Sequence, residues 1–413
     1  MLLGYLAGWV AATTVLLLIP AGRAVLDSLW AEDGKIFLSQ ALTDHWYSPV
    51  FRPHEGYMHL VPRLFGMGAR IFPVRDSAVL FTVGSALLRA LIALFVFRAS
   101  AGHVRSPLLR AFLAVFVILV PSGETFDNIA NLHWYLLYAA VWAALWRPAT
   151  RWENAVAAVA VGAAVCSDPL ALIIAPIVLA RCIALRRRRD HLLTATFVIA
   201  TVIQLAVVAG ASRSQARPVG WLEILRGYDA RVLVALVTGR RGANELVNGS
   251  ARIVVLLLAI VVFLAISAPL LRSDRPTWLI VLYLYGASLL LFALGWRHSL
   301  GAVPYPSRNL GGNSRYTVVP MLLVVTAVVL GLTSIRPLKW RWVALGGSAA
   351  VLLAAAVVGI TSASTAEIGP TWHHGVTLAR QTCRAHPVPM VAIHVDPGPP
   401  WVARIPCSRL GGR

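Results

Sequence analysis

A chain of 413 residues in which 58% are hydrophobic and only 13% charged is not a pair of soluble domains, which carry about 25% charged residues. Its net charge of +20 raises nucleic acid as a partner, but the basic residues gather at the ends of apolar runs, where they serve topology and anionic headgroups. No nucleic acid partner is expected. The fold class expected is an all-α polytopic membrane protein, because helices close their own backbone hydrogen bonds within lipid.

Residues 2–20 form the first apolar run, about 28 Å long as a helix, enough to cross the hydrocarbon. A cleavable signal peptide is disfavoured because the basic n-region and a small-x-small site are missing, so the run is expected to stay as span one. Residues 21–76 then make a long loop. It holds the acidic pair Glu32-Asp33 and the cluster Phe51-Arg-Pro-His-Glu-Gly-Tyr-Met-His-Leu-Val-Pro-Arg63. Lys35 to Ala41 and Met58 to Phe72 have the mixed character of short interfacial helices, with Trp46, Tyr47 and Tyr57 at headgroup depth.

Further spans are expected at 77–97, 108–120 and 132–146. The stretch 154–185 is read as two short helices broken at Cys166-Ser-Asp-Pro169, where the proline cannot continue a helix. Spans at 192–210, 251–271, 277–296, 316–334 and 343–361 complete eleven. With a cytoplasmic amino terminus, the loops 98–107, 147–153, 186–191, 272–276 and 335–342 fall inside, and all are short and basic, as the positive-inside rule requires. The long loops 21–76, 121–131, 212–250 and 296–315 and the tail 362–413 fall outside. The organisation expected is thus a membrane bundle over 1–361 and an extracytoplasmic tail. Cys383 and Cys407 then lie in an oxidising compartment that permits a disulfide, with a free thiol pair as the alternative. The proline-rich segment between them reads as extended or β-like. Cys166 and Cys182 read as small core residues.

The chemistry gathers on the outer face. Glu32, Asp33, His54, Glu55, His59, Glu124, Asp127 and Asp168 sit close to span ends there, with Lys35, Arg52, Arg63, Arg297, His298, Arg308 and Arg315 as cationic partners. Carboxylates opposed by guanidinium groups at a lipid boundary suit transfer from a lipid-phosphate donor, one acid taking a proton while arginines stabilise a departing phosphate. Adjacent acids on a helix point about 100° apart, so one of the pair acts. Asp33 is the expected base and Glu32 its orienting partner or alternate. Arg63, Arg297, Arg308 and Arg315 are the candidates for donor phosphate. Glu124, Asp127, His54 and His133 are the candidates for the acceptor.

Plainer roles stand beside these. The pair can act as first-turn acids, Asp168 as the cap of a helix begun by Pro169, His133-Trp134-Tyr135 as an interfacial anchor, and Arg63 and Arg315 as snorkelling side chains. The five-residue spacing of His54 and His59 does not match a helical zinc pair, so no metal ligands are assigned; no cofactor is required, and a divalent ion is left open. A P-loop, a dinucleotide fingerprint and a zinc-type cysteine spacing are all missing from the sequence.

An acidic motif in the first outer loop, directly after span one of a many-span bundle, resembles the GT-C superfamily of membrane glycosyltransferases, with Glu32-Asp33 in the motif's position. The resemblance covers topology over most of the chain. It implies inverting transfer from a polyprenyl-phosphate sugar to a lipid or glycan acceptor of the cell envelope, at the outer face of a bacterial plasma membrane. The Ala, Val, Leu and Arg content fits a GC-rich bacterium, an actinobacterium among them. Two rival functions stay open: a transporter or flippase of a lipid-linked sugar, which calls for internal repeats and mid-membrane polar groups, and a glycan polymerase or ligase, for which the six arginines of 212–250 speak.

Overall fold

The computed structural model describes residues 2–18, 26–45, 47–121, 123–126, 128–185, 190–210, 219–249, 274–299, 314–333 and 370–411, with scattered positions of 253–260 and 346–357. Among the described residues the fold is all-α apart from one small hairpin. The helices of eight residues or more among them are α1 (Leu2–Leu18), α2 (Leu60–Ala69), α3 (Ser77–Ala99), α4 (Pro107–Leu119), α5 (Leu132–Leu145), α6 (Arg151–Ser167), α7 (Ala175–Leu185), α8 (Asp190–Ala209), α9 (Trp221–Tyr228), α10 (Ala235–Asn248), α11 (Arg275–Ser299), α12 (Val318–Leu332) and α13 (Trp372–Ala385). Strands β1 (Met390–His394) and β2 (Val402–Pro406) pair antiparallel, with Ala392 opposite Arg404.

Among the described residues four helices are long and apolar enough to cross a membrane: Val74–Gly102, His191–Ala209, Arg275–Arg297 and Ser314–Leu332. Helices α1, α4, α5 and the run Pro169–Ile183 are apolar but shorter. The expected spans 251–271 and 343–361 lie outside the described residues, save for scattered positions.

Helix α5 is the axis of the bundle, and each of its residues is buried. It packs on α3, α6 and α12, and the Tyr138 hydroxyl meets Thr326 Oγ1 at 2.7 Å across the α5–α12 seam. At about 1.5 Å per residue its length falls short of the hydrocarbon thickness, which suits a helix walled off from lipid by its neighbours. Two arginines that lie inside apolar runs, Arg89 and Arg181, close helix ends. Arg89 donates to the carbonyls of Val117 and Ile118 at the end of α4 and lies 4.2 Å over the Tyr135 ring. Arg181 donates to those of Ala144 and Trp146 at the end of α5. A guanidinium near a helix C-terminus satisfies orphan carbonyls and complements the dipole.

The break expected at Cys166-Ser-Asp-Pro169 is present. Helix α6 ends at Ser167, Asp168 Oδ1 accepts from the Leu170 N–H at 2.8 Å, and a 3₁₀ segment Pro169–Ile174 leads into α7. Two expectations need correction. The stretch 212–250, read as a polar outer loop, is helical through α9, a π-helical turn Asp229–Val234 and α10, and Ala230 to Leu236 are buried. The apolar run Val232-Leu-Val-Ala-Leu236 overrides the charged residues around it.

The tail, read as short and extended, contains the amphipathic helix α13, whose Trp372, Val376 and Ala379 face inward; among its described residues the extended reading holds for the hairpin alone. Cys383 and Cys407 form a disulfide, which ties α13 to the end of the hairpin. The short helix expected over Lys35 to Ala41 is present, as a π-helical turn, Asp33–Leu38, that runs on into an α-helical turn, Ser39–Thr43, and the tail covers it. Leu29, Phe37 and Leu38 share a second apolar cluster with Trp372, Ile393, Val395, Ala403 and Ile405. The Asp396 N–H donates to the Leu29 carbonyl at 2.9 Å, the Arg404 N–H to Ser39 Oγ at 2.8 Å, and Trp372 Nε1 to the Val74 carbonyl at 2.9 Å. Gly34 permits this approach, since a Cβ there would lie 2.6 Å from Val395 Cγ1.

Candidate active site

The acidic pair splits in two directions, as adjacent positions on a helix must. Asp33 turns inward and is 1% exposed. Its Oδ2 accepts from the Ile129 N–H at 3.0 Å and its Oδ1 from the Ala130 N–H at 2.8 Å. Burial raises its pKa, while those two amide bonds oppose the rise. It sits where α5 begins, so a carboxylate there meets the positive end of that helix. Glu32 turns the other way. Its Oε1 lies 3.6 Å from Arg315 Nη1, and its Oε2 is buried without a hydrogen-bond partner.

Arg315 belongs to a 3₁₀ turn, Ser314–Thr317, that opens α12. Glu124 joins it from the loop before α5: its Oε2 accepts from the Arg315 backbone N–H at 3.2 Å. That loop is stiffened from within, as Asn128 and Asn131 both donate to the Glu124 carbonyl, at 2.7 and 2.9 Å. The guanidinium of Arg315 also lies 5.3 Å over the Tyr316 ring, which packs edge-on against Trp134.

His133 is the second residue of α5, at the same end. Its Nδ1–H donates to the Ala130 carbonyl at 2.7 Å, which leaves Nε2 as the acceptor in the neutral ring. Nε2 lies 3.5 Å from Asp168 Oδ2. Asp33 and His133 thus hold the same residue, Ala130, by its backbone N–H and its C=O.

The cluster 51–63 approaches from a third direction. His54 and Tyr57 exchange backbone hydrogen bonds at 2.9 and 3.1 Å around Glu55 and Gly56, which have φ of 49° and 84°, the signature of a type I′ turn. His59 follows with φ 54° and starts α2. The turn stacks Tyr57 on His59 at 3.9 Å and brings His59 to 5.5 Å from His54 and 5.7 Å from His133. Burial, with Arg63, Lys35 and Arg315 nearby, pushes the His54 pKa down to about 4. Burial also lowers that of His59, aided by the neighbouring His133 and His54. All this keeps both rings neutral.

The candidate residues therefore divide. Glu32, Asp33, Glu124, His133 and Arg315 meet in one cluster, with His54 at its rim. Arg63 is 1% exposed, donates to Gln40 and lies 5.4 Å over Phe37, close enough to His54 and His59 to help lower their pKa values; burial brings its own down to about 10. Arg297 is exposed and lies 5.6 Å over the Trp221 ring. Asp127, Arg308 and the His298 side chain lie outside the described residues. Among the described residues no three His, Cys, Asp or Glu side chains are arranged to hold a metal ion. The sequence reading missed Tyr57, taken as a headgroup anchor. Its spacing from His59, with a glycine before it, was the available signal of a tight turn that puts both rings together.

No family model, curated protein or solved structure matches the chain. Its function has to be argued from the chemistry of the cluster. A carboxylate oxygen without a partner, Glu32 Oε2, stands beside a guanidinium that a second carboxylate holds by its backbone. Such a pair can accept a proton at one point and steady a developing negative charge a few ångströms away.

Proposed function

We propose that the chain is a membrane glycosyltransferase that transfers a sugar, with inversion, from a polyprenyl phosphate to a lipid or glycan acceptor of the bacterial cell envelope. The observation that carries this is the Glu32–Arg315 pair at the junction of the first long loop and α12, with Glu32 Oε2 unengaged. Glu32 Oε2 takes the proton of the acceptor hydroxyl as its oxygen attacks the anomeric carbon. The bond from that carbon to the phosphate oxygen breaks, and the electron pair leaves on the phosphate, beside Arg315. A single displacement inverts the anomeric centre. Product release returns the proton from Glu32 to water.

In this reading the roles expected within the acidic pair are exchanged. Asp33 has both oxygens committed to backbone N–H groups, which suits a positioning residue, and Glu32 is the base. Glu124 and His133 line the acceptor side. We place the site on the extracytoplasmic face of a bacterial plasma membrane, with a cytoplasmic amino terminus. The Cys383–Cys407 disulfide supports that side, since such bonds persist in oxidising compartments, and the tail that contains it packs on the segment that bears Glu32.

Purified protein incubated with a panel of polyprenyl-phosphate sugars and candidate acceptors, with and without chelator, tests the reading. It requires release of free polyprenyl phosphate that Glu32→Gln abolishes. A lipid-linked sugar moved across vesicles with its phosphate bond intact would make the protein a transporter instead.

A further inference from the structure

Glu55 and His59 are the non-glycine residues with positive φ among the described residues, and both belong to the single turn His54–Leu60. Backbone held in that region clusters where side chains must be aimed. Here it aims three rings at one place. His59 is 4% exposed, and neither of its ring nitrogens makes a hydrogen bond; one lies near the His54 carbonyl, outside bonding geometry. His133 Nε2 and Glu32 Oε2 are likewise buried and without a hydrogen bond. Buried polar groups are paired in more than about nine cases in ten, so the unmet nitrogens of His59 and of His133, whose rings lie 5.7 Å apart, mark a place that a ligand completes. The turn opens to solvent at its tip, where Glu55 is exposed and His54 and Tyr57 are half-buried.

The chemistry of those groups selects the ligand. A neutral imidazole offers one donor and one acceptor, and so does a sugar hydroxyl. An anion would be served by the donor nitrogens alone, and an apolar group would leave all of them unmet. We infer that His59, with His54 and His133 beside it, forms the specificity-determining subsite that reads ring hydroxyls of the transferred sugar. The inference rests on the glycosyltransferase reading above. A site built to hydrogen-bond a hydroxyl rejects the analogue that lacks it far more strongly than an apolar pocket rejects an added group.

The test reads binding, so it stands apart from turnover. Full-length protein in detergent is titrated, by thermal shift, with polyprenyl phosphate, with polyprenyl-phosphate hexoses and with their single-deoxy analogues. The wild type is expected to bind one hexose lipid more tightly than bare polyprenyl phosphate. It should lose about 10–100-fold on removal of one hydroxyl. His59→Phe should bind that deoxy analogue and its parent equally, and His59→Asn, which tolerates positive φ and keeps a donor and an acceptor, should retain part of the preference. The subsite is overturned if the wild type binds bare polyprenyl phosphate as tightly as every sugar lipid, or if no deoxy analogue is distinguished. It is also overturned if His59→Phe weakens all lipids by one common factor, which is what a structural role would give. Absence of Glu32-dependent turnover would defeat the transferase reading while leaving these binding differences intact.

Discussion

Replacing Glu32 by Gln removes one charge and one proton acceptor at nearly constant volume, and comparison with Asp33→Asn separates the two acids. The Glu32–Arg315 contact is 3.6 Å long and partly exposed, a class of ion pair worth about 0–1 kcal/mol, so Glu32→Gln should leave the unfolding midpoint almost unmoved. Loss of a general base costs about 10²–10⁴ in rate, or about 2.7–5.4 kcal/mol of transition-state stabilisation. Asp33→Asn behaves in the opposite way. An amide keeps one acceptor and turns its NH₂ against the other of the two N–H groups at 3.0 and 2.8 Å. Bonds to a charged acceptor are worth about 1.5–3 kcal/mol each and a stranded buried donor costs about 1–3, so about 2–4 kcal/mol of stability is at stake. Polyprenyl phosphate release and thermal unfolding, measured on the same detergent preparations, give both numbers. If Asp33→Asn lost its turnover with an unmoved midpoint while Glu32→Gln stayed as active as the wild type, the assignment would be refuted.

Arg315→Lys keeps the charge but not the planar fork; it should lower kcat by about 10²–10³, as loss of one anion-stabilising donor does, and a wild-type kcat would remove Arg315 from the chemistry. Gly34→Ala forces a Cβ to within 2.6 Å of Val395, an overpacking that costs about 1–3 kcal/mol; limited proteolysis should then release the tail first. Cys383→Ser with Cys407→Ser opens a loop with a sequence separation of 24, for a loss of about 3–4 kcal/mol, and reductant should lower the wild-type midpoint but not that of the double variant. Burial raises the Asp396 carboxyl from 3.8 to about 6, so the folded tail holds that proton more tightly than the unfolded one. Its contribution is complete below about 3.8 and is lost as pH rises through about 6. Asp396→Asn should therefore flatten the fall in unfolding midpoint over that window, and an unchanged slope would assign it to other groups.

Much of the bundle was legible because apolar length and proline act locally. Pro169 lacks an N–H and clashes with the preceding turn, so the break after α6 could be read from four residues. Pro107 at the first position of α4 was equally local. Three things were not. Helix α13 buries its residues 372, 376 and 379, a helical pattern overshadowed by the prolines that follow from 387. The role of Asp33 depends on amides 96 and 97 positions away, and nothing beside it in the sequence says which of two acids will be turned inward. The His54–His59 turn places a glutamate and a histidine at positive φ, which local preference argues against and packing against Phe37 and His133 sustains.

The tail that covers Gly34 and Leu29 has a temporal meaning. The ribosome finishes Val395 and Asp396 about 20–70 s after Glu32, at ordinary elongation rates of about 5–20 residues per second. Through that interval the π-helical turn lacks its cover, and the apolar faces of Leu29, Phe37 and Leu38 wait for Trp372, Ile393 and Ile405. The acidic pair is thus made well before the segment that sets it in place, so a chain interrupted between the two leaves the membrane with a site whose wall was never built.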